Sequence, residues 1–122
     1  MNHALTVLLV EDDPIILDAT AETLSDGGCE VVSATTYAEA MRALDDVPHA
    51  TVLVTDIVLD GSGSGLDLVR EVDAQRPDMG IIILSGEVRP ELERLPRRAM
   101  FCTKPCAPGA LLSLVQDCHA WQ

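Results

Sequence analysis

The stretch from Ala50 to Asp60, ATVLVTDIVLD, constrains the fold of this chain more than any other. Thr51 to Thr55 are apolar or β-branched and carry no charge, which is typical of a strand buried on both faces of a parallel sheet. The run ends at a carboxylate, Asp56. Open α/β sheets bind their ligands at the carboxyl ends of strands, so Asp56 is a candidate site residue.

Short apolar runs recur along the chain and alternate with segments of helical periodicity. We predict strands over residues 6–10, 29–34, 51–55, 80–84 and 100–103, and helices that begin close to residues 13, 36, 64 and 108. This alternation predicts one α/β domain over residues 1–122, with three layers and parallel strands joined by right-handed crossovers. A chain of 122 residues is long enough to bury a core without disulfides or other links.

The predicted elements differ in how strongly the sequence marks them. The first helix has an N-cap residue, Asp13, that is followed directly by a proline. Two later helices have the spacing of a capping box: Thr36 with Glu39, and Ser64 with Asp67. The second strand is less apolar than the first and third, which suits an edge of the sheet. The signal is weakest from Glu87 to Arg98, where two prolines leave room for one short helix.

Charge and composition argue against several classes of protein. Twenty Asp and Glu residues against eight Lys and Arg residues give a net charge of −12. This charge disfavours nucleic acid as a direct partner, because phosphate binding relies on clustered basic residues. The first ten residues run into an acidic triplet rather than a cleavage site, and no apolar run approaches the length of a membrane span. We therefore expect a cytoplasmic domain with no signal peptide and no membrane insertion.

The four cysteines are Cys29, Cys102, Cys106 and Cys118, and their spacing is not that of a metal site or a disulfide framework. Cys102 and Cys106 are four residues apart, but no histidine cluster accompanies them. We expect all four to be small buried hydrophobic residues or free thiols in a reducing compartment.

Polar side chains stand at the ends of four predicted strands. Glu11 and Asp12 follow the first strand, Asp56 the third, Ser85 the fourth and Lys104 the fifth. Each is an ordinary loop or surface residue when taken alone, but parallel strands bring all five to one edge of the sheet. Grouped carboxylates repel one another unless a cation lies among them, and hard oxygen ligands suit Mg²⁺. An aspartate beside Mg²⁺ can attack phosphorus and form an acyl phosphate, while a lysine neutralises the phosphoryl oxygens.

In this combination the sequence resembles the receiver domain of two-component response regulators. The resemblance covers essentially the whole chain and rests on five separated elements: LLVEDD, VTDIVLDG, IILSG, Phe101 and TKP. It implies a doubly wound, five-stranded parallel sheet of flavodoxin-like order. It also implies that Asp56 is the phosphoacceptor. Glu11, Asp12 and Asp56, with the main-chain carbonyl of Val58, would then hold Mg²⁺ or Mn²⁺.

Four further residues match the phosphate-contacting and switching positions of the family. The resemblance implies that Ser85 is the switch hydroxyl, Lys104 the phosphate-contacting lysine, Phe101 the switch aromatic residue and Pro105 a cis-proline. It implies that a histidine kinase or a histidine phosphotransfer protein supplies the phosphoryl group, and that the added charge changes a surface that binds an unnamed protein target. Beyond its own phosphorylation and dephosphorylation, no enzyme activity is expected. We expect a stand-alone regulator or the receiver of a larger or hybrid protein.

The sequence also departs from the family pattern. Asp60 stands where many members have proline, the DGSGSG loop is about one residue longer than usual, and Cys106 replaces a customary phenylalanine. The stretch between Ser85 and Lys104 is shorter than is typical, so we predict a short or irregular fourth helix. We expect residues 87–98 and the DGSGSG loop to be the most mobile part of the unphosphorylated domain, and to become more ordered on phosphorylation.

Three other functional classes fit the sequence less well. A phosphatase of the haloacid dehalogenase type also uses an aspartate nucleophile and Mg²⁺, but the position expected to hold its general acid is Val58. A flavodoxin-like cofactor binder would need a phosphate-binding loop after the first strand, where this chain has three acids. A pseudo-receiver, which keeps the fold without phosphorylation, would be expected to have lost part of the pocket, whereas the whole set of residues is present here.

Overall fold

A computed structural model describes residues 5–57, 59, 64–85, 96, 98–104 and 106–120 of the chain. Strands and helices alternate along these residues as far as residue 85, as predicted, and a fifth strand and a last helix follow. The elements are β1 (Thr6–Val10), α1 (Pro14–Asp26), β2 (Glu30–Ala34), α2 (Tyr37–Asp46), β3 (Val52–Asp56), α3 (Gly65–Gln75), β4 (Gly80–Ser85), β5 (Ala99–Thr103) and α4 (Pro108–Ala120). The strand boundaries differ from the predicted ones by no more than a residue.

The strands β1 to β5 form one parallel sheet in the order β2-β1-β3-β4-β5. This is the flavodoxin-like order, so the predicted fold class is confirmed, and β2 lies at an edge as expected. The direction of winding changes between β1 and β3. In folds of this type, ligands bind in the crevice at the carboxyl ends of the two strands that flank this point. Here those ends lead to Glu11 and Asp12 on one side and Asp56 on the other.

The core has two halves, one on each face of the sheet, because successive side chains of a strand point in opposite directions. Leu8 and Val10 of β1 belong to the half that is completed by α2 and α3. Val7 and Leu9 belong to the half that is completed by α1 and α4. Each residue of β1 and of β3 is buried, and for Val52 to Thr55 this confirms the prediction made from their uncharged sequence. The three-layer architecture is therefore confirmed.

The helix starts follow the predicted capping signals with one difference. The Asp13 carboxylate accepts hydrogen bonds from the first-turn N–H groups of α1. Ser64 and Asp67 form a complete capping box at the start of α3. At α2, Thr36 accepts from the Glu39 N–H at 3.1 Å, but the Glu39 side chain accepts from the N–H of Thr35 instead of Thr36. The predicted capping box is therefore not complete, because the Glu39 side chain bonds to the residue before the N-cap.

The prediction for the cysteines is right for two of them and wrong for the other two. Cys29 and Cys118 are buried free thiols. Cys102 and Cys106 instead form a disulfide, with their Cα atoms 6.1 Å apart, inside the range that such bonds require. The turn after β5 brings the two residues back towards each other, which their spacing alone does not reveal. Among the helices of the described residues, none has the length and apolar character needed to cross a membrane.

Arg76, which caps the carboxyl end of α3, links that helix to the turn before β3. Its Nη2 donates to the carbonyl oxygens of Pro48 and Ala50, both at 2.7 Å. These contacts lie at the amino edge of the sheet, opposite the carboxyl edge where the candidate site residues were predicted. Because a guanidinium presents several donors in a rigid plane, one side chain can satisfy several carbonyls that would otherwise lie at a helix or strand terminus.

Arg98, the residue before β5, performs a similar role at the same edge. Its Nε donates to the carbonyl oxygen of Met79 at 2.7 Å, and its Nη1 donates to Asp73 Oδ1 at 2.5 Å. Its Nη2 donates to the carbonyl oxygen of Arg76 at 3.3 Å. The start of β5 is therefore attached to the end of α3 and to the turn that precedes β4.

Some predictions concern residues outside the described part of the chain. Residues 86–95 and 97 fall in the segment for which a short or irregular fourth helix was predicted, and residues 60–63 fall in the DGSGSG loop. The predicted helix and the predicted mobility of these segments stay predictions. Val58 and Pro105 also lie outside the described residues.

Candidate functional site

Glu11 lies directly after β1 and is only 2% exposed. Its N–H donates to the carbonyl oxygen of Ala34 at 3.0 Å, which continues the pairing of β1 with β2. Its carboxylate accepts hydrogen bonds from the N–H of Asp13 at 3.2 Å and from Lys104 Nζ at 3.1 Å. The strand pairing thus fixes the main chain, and these two donors fix the carboxylate at the carboxyl edge of the sheet.

Asp56 is the last residue of β3 and is 4% exposed. Its Oδ1 is buried and has no hydrogen-bond partner, although Lys104 Nζ lies 2.5 Å away. Both observations hold, because the contact is a close ion pair whose angles are not those of a hydrogen bond. Asp56 therefore presents a buried oxygen atom whose need for a donor or a cation is only partly met.

Lys104 follows β5 and joins the two buried acids. Its Nζ contacts Glu11 and Asp56, and its side chain is 30% exposed. Its N–H donates to the carbonyl oxygen of Ser85 at 2.7 Å, which extends the pairing of β4 with β5 by one residue. The ammonium group is thus held at the site by its contacts with the acids, while the main chain is held by the neighbouring strand.

Burial and the neighbouring charges together disfavour the charged form of Asp56. Burial is the main cause that raises the pKa of Asp56, to about 7. The hydrogen bond with Glu11 and the negative charge of Glu11 raise this pKa further, whereas Lys104 acts against the shift. One ammonium group is not sufficient to keep both buried acids ionised at neutral pH.

The pKa values of Glu11 and Lys104, the two partners of Asp56, are both shifted in the direction that favours their charged forms. Burial acts to raise the pKa of Glu11, but hydrogen bonds with Asp56, with the Asp13 N–H and with Lys104 outweigh it, and the pKa of Glu11 is lowered. Burial acts to lower the pKa of Lys104, but its contacts with Asp56 and Glu11 outweigh it, and the pKa of Lys104 is raised. Burial and the neighbouring acid thus raise the pKa of Asp56, whereas the contacts of Glu11 and Lys104 favour the charged forms of those two groups.

The acids are placed so that a divalent cation fits among them. One carboxylate oxygen from each of Glu11, Asp12 and Asp56 lies within 4.8 Å of the other two. Oxygen ligands at this separation suit Mg²⁺, which binds through a few carboxylates and retains water in its other positions. A cation would also supply the partner that Asp56 Oδ1 lacks. The donor set and the unsatisfied oxygen both fit the predicted metal.

Of the other predicted site residues, the structure places Ser85 at the same edge and Phe101 in the middle of β5, and it does not describe two. Ser85 ends β4, is 8% exposed, and is joined to Lys104 through its main-chain oxygen. Phe101 lies on β5 opposite Ile83 and packs, partly buried, against the half of the core formed with α2 and α3. Those two, Val58 and Pro105, lie outside the described residues. The roles assigned to all of these residues stay predictions.

Gly65 is a site residue that the sequence reasoning did not identify. It is the first residue of α3, and its N–H donates to the carbonyl oxygen of Ile57 at 2.8 Å. A Cβ atom at this position would overlap with the main-chain carbonyl of Asp56. The close approach of α3 to the end of β3 therefore requires glycine here. The signal in the sequence is a glycine directly after the capping serine of this helix, but the glycines of the DGSGSG segment, which it ends, make it look like part of a flexible loop.

Comparison with known proteins agrees with this arrangement. Residues 7–116 match the family described as the response regulator receiver domain. The chain belongs to this family. Among curated relatives, the transcriptional regulatory protein GlrR of Escherichia coli is 30% identical over 115 residues, which are 91% of this chain and 25% of that protein. The transcriptional regulatory protein AruR of Pseudomonas aeruginosa is 32% identical over 119 residues, 91% of this chain and 48% of that protein.

A solved receiver structure is similar over nearly the whole chain. The response regulator receiver protein of Sinorhizobium medicae has a TM-score of 0.87 and 26% identity, with coverage of 95% of this chain and 94% of that one. This receiver domain therefore has the fold that its sequence resemblance implied, and its family works in two-component signal transduction. The chain spans about a quarter of GlrR and about half of AruR. What those proteins regulate through their remaining length is a property of those proteins.

Proposed function

We propose that residues 1–122 form a phosphoacceptor domain in which Asp56 receives a phosphoryl group in a Mg²⁺-dependent reaction. Asp56 is the nucleophile, and Lys104 contacts the transferred group. Glu11, Asp12 and Asp56 hold the cation, with the main-chain carbonyl of Val58 as a further ligand. Ser85 and Phe101 form the switch, and Pro105 is the cis-proline.

The observation that carries this proposal is the state of Asp56 Oδ1. This oxygen is buried, has no hydrogen bond, and lies 2.5 Å from the ammonium group of Lys104. A carboxylate that served only stability would be expected to have its hydrogen bonds satisfied by the protein. A nucleophile, by contrast, needs an oxygen atom that the protein leaves available and a cation that can follow the charge onto the phosphoryl group.

The chemistry is a displacement at phosphorus. An oxygen atom of ionised Asp56 attacks the phosphorus of the donor, an O–P bond forms, and the bond between phosphorus and the donor atom breaks. When the donor is a phosphohistidine, the imidazole nitrogen leaves with the electron pair of the broken bond. Bound Mg²⁺ supplies charge neutralisation for the acids and for the phosphoryl oxygens. Lys104, which follows β5, neutralises part of the same charge, and the Ser85 hydroxyl donates to a phosphoryl oxygen.

The donor is proposed to be a histidine kinase or a histidine phosphotransfer protein, and small phosphodonors are proposed to react as well. The domain transfers the phosphoryl group to itself and later loses it, and no separate substrate is turned over. Phosphorylation adds negative charge beside Ser85 and Lys104, and we propose that this charge changes a surface that binds a protein target. The net charge of −12 supports a protein rather than a nucleic acid as the direct partner of this domain. We also propose that the domain is located in the cytoplasm.

The test is intact-mass analysis after incubation of the protein with acetyl phosphate and Mg²⁺. We expect one added phosphoryl group on the wild-type protein, and none on Asp56→Asn or after chelation of the metal. The acyl phosphate should also be lost on treatment with hydroxylamine, which cleaves acyl phosphates and leaves phosphoserine intact. A mass gain that persists in Asp56→Asn, or without divalent metal, contradicts the proposal.

The same experiment separates a phosphoacceptor from a phosphatase. A phosphatase of the haloacid dehalogenase type would release inorganic phosphate in many turnovers, whereas a phosphoacceptor accumulates one acyl phosphate per chain. We therefore measure free phosphate and protein-bound phosphoryl groups in parallel. Release of many equivalents without accumulation on Asp56 would favour the phosphatase.

A further inference from the structure

The Cys102–Cys106 disulfide encloses the residue that contacts the phosphoacceptor. Five residues, from Cys102 at the end of β5 to Cys106, form the loop that the bond closes, and Lys104 is the middle one. Lys104 Nζ contacts both Glu11 and Asp56. The loop therefore carries the only ammonium group that the described residues place at the buried acids.

Both ends of this loop have a defined position when the bond is present. Cys102 is 8% exposed and lies in the half of the core formed with α1 and α4, where Cys106 also packs. Inside the loop, the N–H of Lys104 donates to the carbonyl oxygen of Ser85 at 2.7 Å. Without the bond, the Lys104 N–H lies at the fraying end of the pairing of β4 with β5, and Cys106 is held by its packing against the core.

The bond is expected to stabilise the whole domain less than a disulfide that closes a long loop would. A disulfide stabilises a fold chiefly by restricting the unfolded chain, and this effect decreases as the closed loop becomes shorter. A five-residue loop is close to the shortest loops that disulfides form. Breaking the bond is therefore expected to leave the sheet and its helices intact, and to act mainly on the loop that carries Lys104.

We propose that Cys102 and Cys106 form a thiol–disulfide exchange site whose redox state sets the position of Lys104 and thereby the rate at which Asp56 is phosphorylated. The oxidised form holds Lys104 against the acids and reacts fast; the reduced form reacts slowly. The functional half of this inference rests on the proposed phosphorylation of Asp56. The structural half, the coupling of the bond to the Lys104 loop, does not.

The exchange partner is a dithiol reductant. Its thiolate attacks Cys106 Sγ, because Cys106 is partly exposed whereas Cys102 is buried. The bond between the two cysteines breaks, and the Cys102 sulfur leaves with the electron pair and takes up a proton. The second thiolate of the reductant then attacks the mixed disulfide, closes a disulfide within the reductant, and releases Cys106, which takes up the second proton. A low-molecular-weight disulfide such as glutathione disulfide reverses both steps.

The experiment compares the oxidised chain with the chain reduced by dithiothreitol. Alkylation of the folded protein should modify Cys106 after reduction and not before, while the buried thiols of Cys29 and Cys118 react slowly in both forms. Amide hydrogen exchange at Lys104 should be faster in the reduced form. With acetyl phosphate and Mg²⁺, the reduced form should be phosphorylated about tenfold more slowly, a smaller loss than that expected on removing the lysine itself.

Two variants make the result specific. Cys106→Ser cannot form the bond, so it should show the slow rate and fast Lys104 exchange with or without dithiothreitol. Cys29→Ala keeps the bond and should respond to reduction as the wild-type protein does. Equal phosphorylation rates for the oxidised and reduced wild-type chains, or a response to dithiothreitol that persists in Cys106→Ser, overturn the proposal.

Failure of the proposed function gives a different result from failure of this inference. If neither redox form is phosphorylated on Asp56, the proposed function is wrong, and the exchange of the Lys104 amide still decides whether the bond controls the loop. If the oxidised form is phosphorylated and the Lys104 amide exchanges equally in both forms, the proposed function is supported and the redox coupling is rejected.

Discussion

The two edges of the sheet use buried or half-buried charge in opposite ways. At the amino edge, the guanidinium groups of Arg76 and Arg98 donate to main-chain carbonyl oxygens at 2.7 Å, and Arg98 also pairs with Asp73. At the carboxyl edge, Glu11 and Asp56 face each other with one ammonium group between them, and an oxygen of Asp56 has no hydrogen bond. The paired charges of the amino edge link elements of the fold, whereas the Asp56 oxygen at the carboxyl edge, which has no hydrogen bond, is available to bind a cation.

The difference between the two edges predicts how substitutions at each edge affect stability and phosphorylation. Side chains of the amino edge should affect the free energy of unfolding and leave phosphorylation largely unchanged. Side chains of the carboxyl edge should affect cation binding and phosphorylation, and removal of one of the two buried acids should cost little stability or even increase it, because the repulsion between them is relieved.

The largest effects are expected from a matched pair of substitutions, Lys104→Met and Arg98→Met. Lys104→Met should slow the formation of the acyl phosphate by about 10²- to 10³-fold, the range seen when one group that stabilises developing charge is removed. Arg98→Met should keep the rate and lower the free energy of unfolding by about 2 kcal/mol, because carbonyl groups and Asp73 lose charged hydrogen-bond donors. Acetyl phosphate kinetics and urea unfolding measure the two quantities on each variant.

Either of two results would contradict the proposed difference between the two edges. An unfolded Lys104→Met protein would make the lysine a structural residue. An Arg98→Met protein of unchanged stability would mean that the contacts of the amino edge do not contribute to the fold as their geometry suggests.

A second prediction concerns the glycine that lets α3 approach the phosphoacceptor. In Gly65→Ala the new Cβ would overlap with the main-chain oxygen of Asp56, so the helix or the end of β3 must move. We expect a loss of about 3 kcal/mol of stability, near the upper part of the range for overpacking, together with slower phosphorylation. Gly109→Ala is the control, because a Cβ at that position meets no atom within 4 Å. Equal behaviour of the two variants in thermal unfolding would contradict the predicted close contact.

A third prediction follows from the pKa of Asp56, which is raised from 3.8 to about 7 in the folded protein. Between these values the folded chain binds more protons than the unfolded chain, so the free energy of unfolding of the metal-free protein should fall as pH rises. The contribution is fully present below the unfolded pKa and is lost as pH rises through about 7. From pH 5 to pH 7 we expect a decrease of the order of 2 kcal/mol.

Urea unfolding at several pH values tests this dependence, with Asp56→Asn as the control because its amide does not titrate. The difference between wild type and variant should carry the pH dependence, and added Mg²⁺ should stabilise the wild-type protein more at pH 8 than at pH 5. A slope that is the same in both proteins would mean that another group titrates.

The smallest effect separates two adjacent acids. Asp13 caps α1, and its substitution by Ala should lower the free energy of unfolding by about 1 kcal/mol with Mg²⁺ affinity nearly unchanged. Asp12→Ala should weaken Mg²⁺ binding, as isothermal titration calorimetry would measure, with little change in stability. The distinction between cap and ligand fails if both substitutions weaken Mg²⁺ binding to the same extent.

Much of the fold could be predicted because its signals are local. Val52 to Thr55 form an uncharged run that is buried on both faces of the sheet, and Asp56 marks its carboxyl end. Ser64 and Asp67 are three residues apart, so their capping box depends only on the helix they begin. The convergence of Asp56 with residues far away in the sequence followed from the parallel topology, which places all strand ends on one edge.

The remaining features depend on how separate elements approach one another. The contacts of Arg98 form only when α3 and the residue before β4 lie beside it, and no short sequence pattern predicts them. The overlap at Gly65 depends on the distance between α3 and the end of β3. The Cys102–Cys106 bond depends on the direction of the chain after β5, which four-residue spacing leaves open. Each of these features requires three-dimensional distances that residue types alone do not give.

The anchoring of Arg98 has a consequence for how sequences of this kind can vary. Because β5 pairs with β4 along its whole length and Arg98 attaches its start to Met79 and Asp73, the register of β5 is set within the sheet, and this pairing leads to Lys104 at the carboxyl edge. The position of Lys104 is therefore independent of the number of residues that join Ser85 to Pro96. Insertions and deletions in that connection can accumulate while the ammonium group stays in reach of Asp56.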